Sequence, residues 1–117
     1  MKPKVILVTG GRKFNDRVYV ERKLEECLPF FADEFVIVQG DATGVDWHAK
    51  NWAITNGHPV ISMNAAWDFY GNNAGNIRNG WMLKFTQPDL LLAFPGGTGT
   101  ADMCKQAKKA GVLVYAC

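Results

Sequence analysis

The chain has 117 residues, of which 48% are hydrophobic and 21% are charged, and its formal net charge is +2. This length predicts one domain with a single buried core. The small net charge argues against nucleic acid and against a membrane surface as partners, and no apolar run reaches membrane-spanning length. The three cysteines, Cys27, Cys104 and Cys117, have no paired spacing, so we expect reduced thiols in a cytoplasmic protein.

Five short apolar runs alternate with helical patterns along the chain. The runs cover residues 5–8, 35–38, 60–63, 90–94 and 112–115. They are apolar throughout instead of alternating, which is typical of parallel strands covered on both faces. The sequence therefore predicts an α/β fold with a doubly wound parallel sheet of five strands, in the order 3-2-1-4-5, and helices on both faces.

The helical segments between these runs are marked by apolar residues at three- and four-residue spacing. They are Val20, Leu24, Cys27, Leu28 and Phe31 in the first helix, Val45, Ala49, Trp52 and Ala53 in the second, Ile77, Trp81, Met82 and Phe85 in the third, and residues 100–110 as the fourth. Asn15 or Asp16 is the candidate N-cap of the first helix, and Gly57 and Gly111 are candidate caps after the second and fourth. Residues 64–75 read as a polar and aromatic loop.

The clearest indication of function is the glycine- and threonine-rich segment after the fourth strand. Its residues are Gly96, Gly97, Thr98, Gly99 and Thr100. Glycines let the backbone approach a ligand closely, and the start of the following helix attracts anions. The alternative is a tight turn in which Thr98 or Thr100 caps the helix, but three glycines exceed what a turn needs. We therefore predict a phosphate-binding loop, although it lacks the lysine of a nucleotide-hydrolysing P-loop.

Two further glycine-containing loops would lie beside it, at the carboxyl edge of the sheet where ligands bind in such folds. The candidate ligand-binding residues in them are Gly10, Gly11, Arg12, Gly40, Asp41 and Gly44. Arg12 is interpreted either as a partner of a phosphate or carboxylate or as a solvated arginine. Asp41 is a candidate acceptor for a ribose hydroxyl. Thr43 is the candidate N-cap of the second helix, and Asp46 fits a structural role in its first turn better than catalysis.

An aromatic and amide-rich stretch precedes the third helix. Trp67 and Tyr70 would either stack on a base or belong to the core, and the core is the commoner place for an aromatic residue. Arg78, near the start of the helix, is predicted to reach the anion site. His48 and His58 have no partner at ligand spacing, so no metal site is expected.

Five segments, in this order, resemble the YspA-like, YpsA-related members of the SLOG superfamily, which is frequent in bacteria and their phages. They are residues 8–12, 39–46, 52–53, 74–79 and 95–103, and together they extend over nearly the whole chain. The resemblance implies a Rossmann-like fold that binds a nucleotide or a nucleotide-derived molecule without a further cofactor, as a sensor or sequestering module. It also implies a homodimer formed through helices that flank the site.

A better-understood branch of that superfamily supplies the alternative function. The LOG or "lysine decarboxylase-like" phosphoribohydrolases cleave the N-glycosidic bond of nucleoside 5'-monophosphates. Arg78 matches the arginine of that branch's motif, but Asn79 stands in place of its lysine and Met103 in place of its catalytic glutamate. If the protein is an enzyme, the resemblance gives the catalytic roles to Arg78 and Asp102. Adjacent helical residues point about 100° apart, so Asp102 is not a simple substitute for the glutamate.

Overall fold

The computed structural model describes residues 3–31 and 33–117 and contains a five-stranded sheet. The strands, β1 to β5 in chain order, are Lys4–Thr9, Phe35–Gln39, Val60–Ser62, Leu90–Ala93 and Leu113–Ala116. They lie in the order β3-β2-β1-β4-β5, and each neighbouring pair is parallel. The predicted Rossmann-like architecture and its strand order are confirmed.

Five helices connect the strands in the described part of the chain. Helices α1 to α5 are Arg17–Cys27, Val45–Thr55, Trp67–Tyr70, Ala74–Thr86 and Thr98–Lys109. Short 3-10 turns at Leu28–Phe30 and Gly71–Asn73 follow α1 and α3. Residues 64–75, which were predicted to form a loop, therefore contain the short helix α3 and the second of these turns. A helix of four residues is too short for apolar periodicity to indicate it.

The central strands direct alternate side chains to opposite faces of the sheet, and each face is covered by a pair of helices. The layer against α1 and α2 includes the buried residues Ile6, Val8, Val20, Leu24, Ile37, Val45, Ala49, Ala53 and Leu92. The layer against α4 and α5 includes Val5, Leu7, Val38, Met82, Leu91, Met103 and Ala107. Because both faces of β1, β2 and β4 are buried, these strands are apolar at nearly every position. The edge strands are less covered, and Leu113 of β5 is 69% exposed.

The apolar pattern predicted where α4 lies better than which of its residues are buried. Met82 is buried as expected, but Trp81 is 37% exposed and Phe85 is 66% exposed. Trp81 packs edge-on against Tyr70 at the surface, with 5.9 Å between the ring centroids. Large aromatic residues can cover each other on a surface, and periodicity does not distinguish that arrangement from burial in the core.

The helix ends follow the sequence in some places and depart from it at α5. Asp16 caps α1, since its carboxylate accepts a hydrogen bond of 3.0 Å from the Tyr19 N–H. Gly57 and Gly111 follow α2 and α5 with φ values of 75° and 78°. Helix α5 begins at Thr98, two residues before the predicted start at position 100, and its N-cap residue is Gly97.

Candidate functional site

The loops after β1 and β4 lie side by side at the carboxyl edge of the sheet. Thr9 and Ala93 are register partners at the ends of the two strands, and beyond them the Gly11 N–H donates a hydrogen bond of 2.9 Å to the Pro95 carbonyl. A Cβ atom on Gly96 would lie only 2.7 Å from the Gly11 nitrogen. Larger residues would force the two loops apart, so these glycines bring residues 10–12 and 96–100 together.

The loop after β2 packs against the same segment from the other side. The Val45 N–H donates to the Gly11 carbonyl at 3.2 Å, and the Thr43 hydroxyl donates to the Arg12 carbonyl at 2.9 Å. Gly44 has a φ of 76°, and a Cβ there would lie 2.1 Å from the Gly11 oxygen. Only glycine fits this position. The prediction that Thr43 caps α2 was wrong, because Gly44 is the N-cap residue and the Thr43 hydroxyl holds the neighbouring loop instead.

These loops and the α3–α4 region surround a cavity of about 360 Å³. Its lining residues are Thr9, Gly10, Gly11, Arg12, Ala42, Asp46, Trp67, Asn72, Gly75, Asn76, Arg78, Gly97, Thr98, Gly99 and Thr100. The volume lies within the range of about 300–1,000 Å³ that is typical of small-molecule sites. We refer to it below as the loop cavity.

The first turn of α5 opens into the loop cavity. Gly97 is the N-cap residue, and no side chain of the described residues caps this helix. The first backbone hydrogen bond at this end runs from the Ala101 N–H to the Gly97 carbonyl, at 3.1 Å. The preceding N–H groups, of Thr98, Gly99 and Thr100, have no partner within the helix. The interpretation of Thr98 or Thr100 as a capping residue was therefore wrong, and the helix presents uncapped donors and its positive dipole end to the cavity.

Arg12 lies at the edge of the cavity and is held by an aromatic ring. Its side chain is exposed, and its guanidinium carbon lies 4.8 Å from the centroid of the Trp67 ring. This cation–π contact restrains the arginine without using its hydrogen-bond donors. Trp67 lines the cavity together with Arg12, whereas Tyr70 is not part of the lining and packs on Trp81.

Arg78 enters the cavity from α4. Its Nη1 donates to the carbonyls of Gly40 and Met63, at 2.8 and 3.3 Å, and its Nε donates to Asn79 Oδ1 at 3.1 Å. Burial lowers the pKa of Arg78, while the charge of Asp46 acts in the opposite direction. An arginine nevertheless stays protonated in proteins. The side chain is therefore a fixed positive charge at the cavity wall.

Asn79, which stands where the phosphoribohydrolase motif has lysine, has a bridging position. It is buried, and its Nδ2 donates to the Gly99 carbonyl at 3.2 Å and to Asp102 Oδ2 at 3.0 Å. With its Oδ1 bound to Arg78, Asn79 links the arginine to the first turn of α5. Its polar atoms are directed at the protein's own groups.

Asp46 is the buried carboxylate of the loop cavity. It is 6% exposed, and its Oδ2 accepts hydrogen bonds from the Gly40 and Ala42 N–H groups at 3.1 and 3.4 Å. Burial raises the pKa of Asp46 to about 6, although the two N–H groups, Arg78 and Arg12 all favour the charged form. The structural role predicted for this residue is correct in part, but the carboxylate binds the preceding loop and also lines the cavity.

Four of the predicted ligand-binding residues are not part of the cavity lining; they are Gly40, Asp41, Gly44 and Gly96. Asp41 adopts a φ of 58° and pairs with Lys50 at 3.0 Å. Gly40 lies beneath Arg78, since a Cβ there would be 2.2 Å from Nη1. Gly44 and Gly96 make the close backbone contacts described above. These residues support the loops that line the cavity.

Asp102 lies apart from the loop cavity. Its Oδ2 accepts hydrogen bonds from Asn79 Nδ2 at 3.0 Å and from Gln106 Nε2 at 2.7 Å. It lines a different groove, between α4 and α5, of about 590 Å³. Met103, at the position of the motif glutamate, is completely buried. The structure therefore does not bring the two proposed catalytic residues, Arg78 and Asp102, to the same cavity.

The lining also includes residues that the sequence did not indicate. They are Thr9, Ala42, Asn72, Gly75 and Asn76, together with Asp46. The position of Asp46 is the signal that could have identified it. It follows Ala42 by four residues, and the loop that contains Ala42 needs acceptors for its backbone N–H groups. Within residues 3–31 and 33–117 no group of three or more metal-binding side chains occurs. No helix in this part of the chain is long and apolar enough to cross a membrane.

The fold and the loop cavity are those of a Rossmann-like protein with a glycine-rich site at the carboxyl edge of its sheet. The sequence profile of the YspA, cpYpsA-related SLOG family (YAcAr) matches residues 4–70, and the chain belongs to this family. It is 35% identical over 117 residues to the gene 61 protein of Mycobacterium phage D29, with 93% of this chain and 92% of that protein aligned.

Two solved structures share the fold. The X-ray structure of TM1055, a Northeast Structural Genomics Consortium target, matches 95% of this chain and 72% of its own chain, with a TM-score of 0.69 and 17% identity. A UDP-N-acetylglucosamine 2-epimerase matches 99% of this chain with a TM-score of 0.59 and 17% identity, but this chain spans only 33% of the epimerase. At this identity the likeness concerns the fold alone.

Proposed function

We propose that this protein binds a phosphorylated small molecule, a nucleotide or a molecule derived from one, in the loop cavity, and acts as a sensor or sequestering module. The observation that carries the proposal is the uncapped start of α5, which opens into a cavity that also contains Arg12 and Arg78. Free N–H groups at a helix start and two arginines are the donors that a phosphate requires.

The space around the glycines of these loops supports the same proposal. Gly97 and Gly99 line the cavity, and apart from the adjoining backbone no heavy atom of the described residues lies within 4 Å of a Cβ built on either. Gly96 and Gly44, by contrast, are restricted by close contacts. Protein packing therefore accounts for some glycines of these loops, and a ligand that approaches the backbone accounts for the others.

The test is a binding screen of the purified protein against nucleotides and NAD-derived metabolites, read by calorimetry and by thermal shift. We expect a phosphorylated ligand to bind and to raise the midpoint of unfolding. Arg78→Ala should abolish this response, whereas Arg22→Ala, which removes an exposed arginine of α1, should retain it. No response to any phosphorylated ligand contradicts the proposal. Mass spectrometry of small molecules that copurify with the protein would identify the natural ligand.

The alternative function, phosphoribohydrolase activity on nucleoside 5'-monophosphates, retains one favourable feature. Arg78 lies in the cavity where it would steady a ribose phosphate. Asp102, however, lines the other groove, and Met103 is buried, so the reaction would need a different carboxylate. The binding function requires no such replacement and is therefore preferred. The single-domain organisation, the cytoplasmic location and the homodimer stay predictions.

A further inference from the structure

Asp46 is an unexpected group in a cavity that attracts anions. It is 6% exposed and lines the same cavity as Arg12, Arg78 and the first turn of α5. A carboxylate repels a phosphate, and burying it is costly. Its place in the cavity therefore suggests a function other than binding the phosphate itself.

The two oxygens of Asp46 have different surroundings. Oδ2 accepts hydrogen bonds from the N–H groups of Gly40 and Ala42, whereas Oδ1 accepts none from the described residues. Every fully buried side-chain nitrogen or oxygen in the described part of the chain has a partner, so Oδ1 is not fully buried. Asp46 lines the loop cavity, and Oδ1 is the oxygen of its carboxylate that has no donor among the described residues.

The charges around Asp46 determine which donor suits it. Arg78 from α4 and Arg12 from the loop after β1 both act on the carboxylate, and Lys50 of α2 is paired with Asp41 at 3.0 Å. Two arginines already compensate the negative charge and would repel a cationic ligand group. A neutral donor, such as a hydroxyl, satisfies Oδ1 without this repulsion. The amides of Asn72 and Asn76 on the same lining add further polar partners.

We propose that Asp46 Oδ1 accepts a hydrogen bond from a sugar hydroxyl of the bound molecule, so that the loop cavity selects phosphorylated sugars over phosphates that lack hydroxyl groups. This inference rests on the proposed function. It gives Asp46 the role that the sequence assigned to Asp41, whose carboxylate is instead paired with Lys50. The phosphate would occupy the start of α5, and the sugar would extend toward the loop after β2.

The test compares two small phosphates by NMR titration of the labelled protein at pH 7.5. Ribose 5-phosphate has ring hydroxyls, whereas tetrahydrofurfuryl phosphate has a similar ring and the same phosphate but no ring hydroxyls. A hydrogen bond to a charged acceptor contributes about 1.5–3 kcal/mol, so we expect ribose 5-phosphate to bind about tenfold more tightly or better. In Asp46→Asn, which removes the charge, a neutral hydrogen bond of about 1 kcal/mol remains, so the preference should fall to about fivefold or less.

Asp89→Asn is the matched control. Asp89 also accepts a backbone hydrogen bond through Oδ2, from the Val5 N–H at 2.8 Å, but it precedes β4 at the opposite edge of the sheet. This variant should keep the full preference. If Asp46→Asn does not fold, the wild-type protein provides the second measurement. Burial raises the pKa of Asp46 to about 6, so the preference should decline at pH 5, while protonation of the phosphate affects both ligands alike.

The possible results separate the two proposals. Equal binding of both phosphates by the wild-type protein would overturn the role of Asp46 and leave the anion site intact. A preference that persists in Asp46→Asn and at pH 5 would also overturn it, because other groups would then recognise the hydroxyls. If neither phosphate nor inorganic phosphate perturbs the resonances of residues 97–100, the proposed phosphate site at the start of α5 fails together with this inference, and the nucleotide screen decides the proposed function.

Discussion

Asp46 and Arg78 hold the same residue from opposite sides. The Gly40 N–H donates to Asp46 Oδ2 at 3.1 Å, and the Gly40 carbonyl accepts from Arg78 Nη1 at 2.8 Å. The two side chains also attract each other electrostatically. Through Gly40 the loop after β2 is fixed to α4, and this contact defines one wall of the loop cavity.

Gly40→Ala should displace Arg78 and weaken phosphate binding. A Cβ at position 40 would lie 2.2 Å from Nη1 and 2.6 Å from Cζ, so the guanidinium must move. Overpacking of this kind costs about 1–3 kcal/mol, and we expect a lower midpoint of urea unfolding as well as a loss of affinity. Gly80→Ala is the control, because its Cβ would meet only the end of the Gln106 side chain, at 3.2 Å. Unchanged affinity in Gly40→Ala would show that Arg78 does not bind the phosphate.

Gly99→Ala should separate stability from binding. Gly99 lies in the first turn of α5, and apart from the adjoining backbone of its own helix nothing in the described part of the chain lies within 4 Å of its Cβ position. Alanine favours a helix over glycine by up to about 1 kcal/mol, so the free energy of unfolding should stay the same or rise. The added methyl group would occupy space at the cavity lining, and affinity for phosphate should fall. If Gly99→Ala is more stable and binds phosphate with unchanged affinity, the ligand does not lie against Gly99.

Arg12→Ala should weaken phosphate binding and reduce its dependence on salt. The side chain is exposed, and the Trp67 ring holds it at the cavity edge. Solvent screens an exposed charge, so we expect a loss of about two- to fivefold. Calorimetric titrations at two salt concentrations measure both effects. If Arg22→Ala has the same effect, the loss reflects net charge and not a contact with the ligand.

The strand order and the convergence of the loops could be predicted because short-range features encode them. Apolar runs such as residues 5–8 are buried on both faces, and right-handed crossovers then leave few topologies. Gly11 and Gly96 follow adjacent strands, so their loops must meet. In each case, the identity of the residue and its place in the chain were sufficient.

Which of Asp41 and Asp46 lines the loop cavity could not be predicted from the sequence, because it depends on the path of the backbone between them. A φ of 58° turns Asp41 toward Lys50, whereas α2 begins early enough to direct Asp46 back to the loop. An acidic residue in the first turn of a helix is usually interpreted through the helix dipole. The hydrogen bonds that make Asp46 a cavity residue come from Gly40 and Ala42, whose N–H directions the sequence does not reveal.

The free energy of unfolding should carry a pH dependence that originates in Asp46. In the folded protein the pKa of the Asp46 carboxyl is raised to about 6, whereas its ordinary pKa is 3.8. Between these values the folded state binds more protons than the unfolded state, so this carboxyl stabilises the fold at low pH. The contribution is lost as the pH rises from 4 to 6, and amounts to at most about 3 kcal/mol.

Urea unfolding of the wild-type protein and of Asp46→Asn at several pH values isolates this contribution, since the other carboxyl groups titrate in both proteins. The stability of the variant relative to the wild type should rise between pH 4 and pH 6 and stay level above pH 7. Parallel curves for the two proteins would mean that Asp46 titrates at its ordinary pKa.

Asp102→Asn should leave ligand binding intact, and the wild-type protein should release no free base from nucleoside 5'-monophosphates. The Asp102 carboxylate is bound by Asn79 and Gln106 and lines the groove between α4 and α5. Both hydrogen bonds end on Oδ2, so the amide oxygen of an asparagine can accept them, and only the charge of the acceptor is lost. We therefore expect a loss of stability of about 1–2 kcal/mol. Chromatography of long incubations at high protein concentration detects the base. If the wild-type protein releases the base and Asp102→Asn does not, the protein is a phosphoribohydrolase and not a binding module. Asp102 would then have to reach the ligand from outside the loop cavity.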